Sequence, residues 1–153
     1  KLKKLILPNN NISDEGITAI ANSENFKRLT DLDIYGNVIS DDGVKAIAES
    51  PYMSNLKKLS LYGNLVEDEG AIAIAESQTL SKLKHLFINS NRIRREGIES
   101  LQKAKCRTRL CRLHVDDLKD FYYEEVSDED DEDLINSWEE LKARAAANRD
   151  SED

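Results

Sequence analysis

LTDLDIYGNVIS (residues 29–40) and LKKLSLYGNLVE (residues 56–67) are almost the same phrase, written 27 residues apart. The spacing holds along the chain. Leu2, Leu29, Leu56, Leu83 and Leu110 open successive copies at intervals of 27, as do Asn10, Asn37, Asn64 and Asn91, and Gly16, Gly43, Gly70 and Gly97. Four copies read LxxLxLxxNxI, with a glycine six residues beyond the asparagine and a short apolar segment after it. A fifth, LCRLHVDDL, keeps Leu110, Leu113 and Val115 but has Leu118 where the asparagine belongs. A fixed period of this length predicts a repeat architecture rather than an ordinary globular core.

Each unit combines two periodicities. The LxLxL alternation is that of a strand with one buried face: Leu32 and Ile34 point one way, and Asp31, Asp33 and Tyr35 the other. Ile17, Ile20 and Ala21, then Val44, Ile47 and Ala48, fall three and four residues apart, the apolar stripe of a short helix. Ser13 and Ser40 are placed as N-caps, and Asp14, Glu15, Asp41, Asp42, Asp68 and Glu69 suit the positive end of a helix. The glycine in each first helical turn points to close packing, because a residue with no side chain lets helix and strand layers approach. One strand and one helix cannot bury their apolar faces alone, whereas stacked copies can. The expected fold is a right-handed α/β horseshoe, with a parallel sheet on the concave side starting near residues 4, 31, 58, 85 and 112, and helices on the convex side. Asn10, Asn37, Asn64 and Asn91 are read as a structural ladder whose amides satisfy the turn after each strand.

The phrase LxxLxLxxNxI, with a helix in every unit, resembles the leucine-rich repeat, specifically its ribonuclease-inhibitor-like class. The resemblance covers residues 1–118 and implies the α/β horseshoe. That class includes ribonuclease inhibitors, Ran GTPase-activating proteins, innate immune receptors and bacterial effectors. They share an architecture rather than one activity, so the resemblance leaves function to the site.

The 153 residues suit one domain, and 39% apolar against 34% charged residues describe a thin core under a charged surface. No run reaches the length of a membrane helix, and no signal peptide is visible. The chain opens at Lys1 within a repeat, with no initiator methionine and no polar cap, which suggests the carboxyl-terminal piece of a longer protein. Cys106 and Cys111 flank the bend before the fifth strand and are read as free thiols, with a bridge across that bend as the alternative; a cytoplasmic setting follows.

Charge divides the chain. Residues 1–115 hold 18 Lys/Arg against 14 Asp/Glu, a balance of +4, and residues 116–153 hold 4 against 16, a balance of −12. We expect leucine-rich repeats over 1–118, an acidic linker over 119–131, a C-terminal capping helix over 132–148 and a disordered tail over 149–153. Leu134, Ile135, Trp138, Leu141 and Ala145 share one helical face, which would cover the open end of the last repeat. The rival reading of that face is a partner-binding amphipathic helix.

Chemistry is sparse. His85 and His114 are the only histidines, both expected on the concave face and near each other diagonally, with Asp116 two residues beyond His114. No nucleophile motif, metal triad or phosphate loop accompanies them, so the expectation is no catalytic residue, no metal and no cofactor. The net charge of −8 repels nucleic acid. Because the repeated residues build the scaffold, the residues that vary at outward positions are the informative ones. Asp31, Asp33, Tyr35, Lys58, Tyr62, His85, Phe87, Arg112 and His114 are therefore the candidate partner-binding set. Aromatic and mixed-charge side chains on a rigid sheet suit a protein partner, with Tyr35, Tyr62 and Phe87 as water-facing anchors. The expected function is a monomeric protein–protein interaction module. The rivals are a regulator of a small GTPase resembling Ran GTPase-activating proteins, marked by a loop that breaks the period, and a structural C-terminal fragment of a larger leucine-rich repeat protein such as a bacterial effector.

Overall fold

The computed structural model describes residues 2–107, 110 and 112–115, without the side chains of Cys106 and Arg107. The expected linker, capping helix and tail, together with Asp116, Cys111 and the pairing of the cysteines, lie outside the described residues.

Five strands alternate with four helices: β1 (Lys4–Ile6), α1 (Asp14–Ala21), β2 (Asp31–Asp33), α2 (Asp41–Glu49), β3 (Lys58–Ser60), α3 (Asp68–Glu76), β4 (His85–Phe87), α4 (Arg95–Arg107) and β5 (Arg112–His114). Short 3₁₀ turns at Glu24–Phe26 and Pro51–Met53 lead from α1 and α2 into the next strand. The sheet is parallel throughout, in the order β1-β2-β3-β4-β5. Its register pairs Leu5 with Leu32, Leu32 with Leu59, Leu59 with Leu86 and Leu86 with Leu113, each 27 residues on. No inserted loop interrupts the period among the described strands. Consecutive helices pack side by side as a second layer.

The core lies between the layers. Leu32, Ile34, Leu59, Leu61, Leu86 and Ile88 enter it from the sheet, and Ile17, Val44, Ile47, Ala71, Ile74 and Leu101 from the helices. Ile39 and Val66, the aliphatics two residues after the asparagines, close it at the strand–helix corner with no exposed surface.

Asn37, Asn64 and Asn91 form a ladder of amides. The Asn37 Oδ1 accepts from the backbone N–H groups of Asn10 and Ile12 in the preceding repeat, while its Nδ2 donates to the carbonyls of Leu7, Ile34 and Tyr35. Asn64 and Asn91 repeat the arrangement, reaching Ile39 and Val66 N–H with Oδ1. Each amide thereby satisfies turn groups of two repeats at once. Asn10 stands apart: it is exposed, and among the described residues its Nδ2 reaches only its own turn at the Pro8 carbonyl.

The helix starts differ from expectation. Ser13 and Ser40 do occupy the N-cap positions of α1 and α2, but neither hydroxyl caps its own helix. The capping oxygen comes from the repeat before. Asp14 Oδ1 accepts from the N–H groups of Ser40 (2.8 Å) and Gly43 (3.0 Å), and its Oδ2 from the Ser40 hydroxyl (2.6 Å). Asp41 takes the Glu67 N–H at 2.7 Å, and Asp68 those of Arg94 (2.7 Å) and Gly97 (3.0 Å). A carboxylate on each helix therefore satisfies the orphan donors of the next, where the helix dipole also favours negative charge.

A serine column ties the other helix ends. Ser50 is buried; its hydroxyl donates to the Ala21 carbonyl (2.5 Å) at the end of α1 and accepts from Tyr52 N–H (3.1 Å). Ser77 makes the same reach to the Ala48 carbonyl at 2.5 Å. Ser50→Ala is expected to lower unfolding free energy by about 1 kcal/mol in urea titration, the usual loss of one buried hydrogen-bond partner.

Candidate functional site

The face of the sheet turned away from the helices, the concave face, is laid out by the register. Each repeat position becomes a row across the strands, with neighbouring strands roughly 4.8 Å apart. One row reads Lys4, Asp31, Lys58, His85, Arg112; the next reads Ile6, Asp33, Ser60, Phe87, His114. Beyond the strand ends, Tyr35 and Tyr62 come together.

Three ring contacts organise the face. Tyr35 and Tyr62 meet edge to face, with centroids 6.4 Å apart and planes at 66°. Phe87 and His114 stack at 4.8 Å with planes 9° apart. The Lys58 ammonium sits 5.3 Å from the Phe87 ring centre, within cation–π reach. Burial pushes the Lys58 ammonium below its ordinary pKa; the Asp33 and Asp31 carboxylates oppose that shift, and Lys4 adds to it. The register sets Phe87 and His114 opposite each other, which is what brings their rings together.

Tyr35, His85 and Phe87 require a correction. They point away from the core, yet only 6%, 5% and 2% of their surfaces reach water. Pointing outward is not the same as being solvated when side chains from adjacent strands stand one strand spacing away. Tyr35 is flanked by Tyr62 and by Asn9, whose Nδ2 lies 3.4 Å from the Tyr35 hydroxyl; Phe87 lies between Lys58 and His114. Asp31, Asp33, Lys58, Tyr62, Arg112 and His114 are half-buried, and Ile6 is 59% exposed.

Two further hollows among the described residues lie elsewhere. An apolar cavity between α3, α4 and the turn before β4 is lined by Ile74, Leu80, Leu83, Leu101 and Ala104. A polar groove at the helix starts gathers Asp41, Glu67, Asp68, Arg92 and Arg94, where Asp41 and Asp68 are already engaged as caps and Arg92 lies 3.8 Å from Glu67. Among the described residues no three His, Cys, Asp or Glu side chains gather as a metal-binding group, and no helix is long and apolar enough to cross a membrane.

The model of a family described as leucine-rich repeat matches residues 1–21, 28–48 and 52–75, three successive units of the period seen in the sheet. The chain is a leucine-rich repeat protein. The match is to the repeat as such and not to a subclass. Leucine-rich repeats commonly serve as protein–protein interaction modules. A comparison with curated proteins finds no match. The capping carboxylates, which act outside their own helices, do carry a signal in the sequence: Asp14, Asp41 and Asp68 recur at 27 and stop at Arg95.

Proposed function

We propose that the chain is a protein-binding module whose partner seats on the concave face, over the Tyr62 edge and the row Asp31, Lys58, Arg112. The observation that carries this reading is the clustering of half-buried aromatic and charged side chains, already fixed by neighbours, on one rigid parallel sheet. Anchors held in place before binding lose little side-chain entropy on association. The alternation Lys4, Asp31, Lys58 along one row supports a partner of matching mixed charge rather than a uniformly charged polymer. His85, Phe87 and Tyr35 serve as the supporting layer beneath, with Asp33 and His114 beside them. The reading takes the protein as a cytoplasmic monomer with no cofactor.

The test begins with the partner retained by the whole chain and purified from it. Its affinity is then measured against Tyr62→Ala, Lys58→Glu and, as a control on the helix layer, Glu49→Ala. Tyr62→Ala and Lys58→Glu are each expected to weaken binding by about 2 kcal/mol, the threshold of an interface hot spot, while Glu49→Ala leaves it unchanged. A partner lost with Glu49→Ala and indifferent to the other two would place the interface on the helices.

A further inference from the structure

We infer that the corner of the concave face at Tyr62 and Gly63 is a socket for a single side chain of the protein partner, and that this side chain ends in a carboxamide, as glutamine and asparagine do. The inference rests on the concave face being the docking surface and adds what the partner must carry there. The socket is defined by two neighbouring repeats of the same chain. The residue before each ladder asparagine has left-handed backbone: Asn9 (φ 53°), Gly36 (φ 65°), Gly63 (φ 63°) and Ser90 (φ 53°). Its N–H donates across to the next strand in the same way each time, Asn9 to the Tyr35 carbonyl (2.9 Å), Gly36 to that of Tyr62 (2.8 Å) and Gly63 to that of Asn89 (3.0 Å). Residue 36 therefore stands to Tyr62 and Gly63 as Asn9 stands to Tyr35 and Gly36.

The first of these two places is filled. The Asn9 side chain lies against Gly36, so close that an added Cβ there would collide with its Oδ1 and stand 3.0 Å from its Cγ. Its Nδ2 lies 3.4 Å from the Tyr35 hydroxyl, and Tyr35 is left only 6% exposed. One repeat on, residue 36 is glycine and has no side chain to lay down. Chain neighbours aside, an added Cβ at Gly63 would meet only the Gly36 backbone, at 3.7 and 3.8 Å. Tyr62 is half-buried rather than covered, and its hydroxyl has no hydrogen-bond partner among the described residues. The turn does not demand glycine at 63, since Asn9 and Ser90 make the same turn, and crowding does not demand it either. Gly36 and Gly63 together leave room for a group shaped like the Asn9 amide, its oxygen against the bare Gly63 and its nitrogen donating to the Tyr62 hydroxyl. A carboxamide offers both a donor and an acceptor, and it brings no charge to desolvate.

The experiment selects short random peptides, displayed on phage, against the whole chain and uses a selected peptide as the probe in titrations. The peptide is expected to contain an asparagine or glutamine whose replacement by leucine weakens binding about tenfold, the worth of one hydrogen bond with its contact. Tyr62→Phe, which removes the hydroxyl, and Gly63→Asn, which puts a Cβ where the amide oxygen would rest, should each weaken binding by the same factor. In either variant the leucine replacement should then cost nothing further. Asn9→Gly combined with Gly36→Asn moves the amide one repeat along; it should close the socket, shield Tyr62 from nitration by tetranitromethane and open Tyr35 to it. Should Gly63→Asn fail to fold, Tyr62→Phe and the moved amide decide the matter. A peptide lost with Tyr62→Ala or Lys58→Glu but indifferent to Tyr62→Phe, Gly63→Asn and the moved amide would overturn the socket while leaving the concave face as the docking surface. Peptides indifferent to all of these variants, or a selection that enriches none, would overturn the socket, and in the first case the concave docking surface with it.

Discussion

Gly43→Ala is expected to destabilise the protein by about 3 kcal/mol, at the upper end of the usual cost of overpacking, although alanine is the better helix former by about 1 kcal/mol. The new methyl would stand 2.4 Å from Asp14 Oδ1, 2.7 Å from Ile17 Cγ2 and 2.8 Å from Ile39 Cγ2. The carboxylate cannot retreat without giving up the Ser40 and Gly43 N–H groups, and the two isoleucines are fully buried. The clash is therefore met from three sides that resist it. Asp14→Ala alone should cost about 1–2 kcal/mol, the range for losing a helix cap. The pair in combination should cost about 1 kcal/mol less than the sum, because removing Asp14 vacates the space the methyl needs. Urea unfolding of the two single variants and the double variant measures this directly. Strict additivity would mean that the isoleucines, not the carboxylate, make the glycine necessary.

What the sequence made legible follows from how the repeat encodes its structure. A strand's buried face and the amide ladder are fixed by residues that recur with the phrase. Leu32, Leu59 and Leu86, and Asn37, Asn64 and Asn91, were therefore placed by arithmetic alone, and the five strands start where the period puts them. The carboxylate caps were misread because helix-start residues are ordinarily interpreted through their own helix. Asp14 acts across a repeat boundary, on Ser40 and Gly43, which are 26 and 29 residues away. The exposure of the concave residues was misread for a related reason. Alternation along β2 says that Tyr35 points away from the core, but only the sheet register says that Tyr62 stands beside it. The face a side chain occupies is a one-strand property, whereas its solvation depends on three strands. The candidate face was thus legible as a list of residues but not as an arrangement of covered and half-buried side chains.

Asn64→Ala should lower stability by about 3 kcal/mol, since a buried N–H donor and several carbonyls lose their partners together. Its Oδ1 holds the Ile39 N–H at 3.1 Å, and its Nδ2 holds the carbonyls of Ile34 (3.0 Å), Leu61 (3.1 Å) and Tyr62 (3.3 Å). The side chain is almost fully buried, so water cannot replace these bonds. Asn10→Ala, the same residue type at the same repeat position, should change stability by less than about 0.5 kcal/mol, as exposed substitutions do. Asn10 is exposed, and among the described residues its side-chain amide binds only the Pro8 carbonyl. The contrast separates a role set by the repeat phrase from a role set by stacking. If the ladder stabilises each turn locally, the two variants should cost the same. If the amide works because it spans two repeats, the cost should appear only where a preceding repeat is present to be spanned. Paired urea titrations of Asn64→Ala and Asn10→Ala decide between them, and binding by the Asn64→Ala variant, measured well below its melting temperature, should stay intact because the amide lies inside the solenoid and not on the concave face.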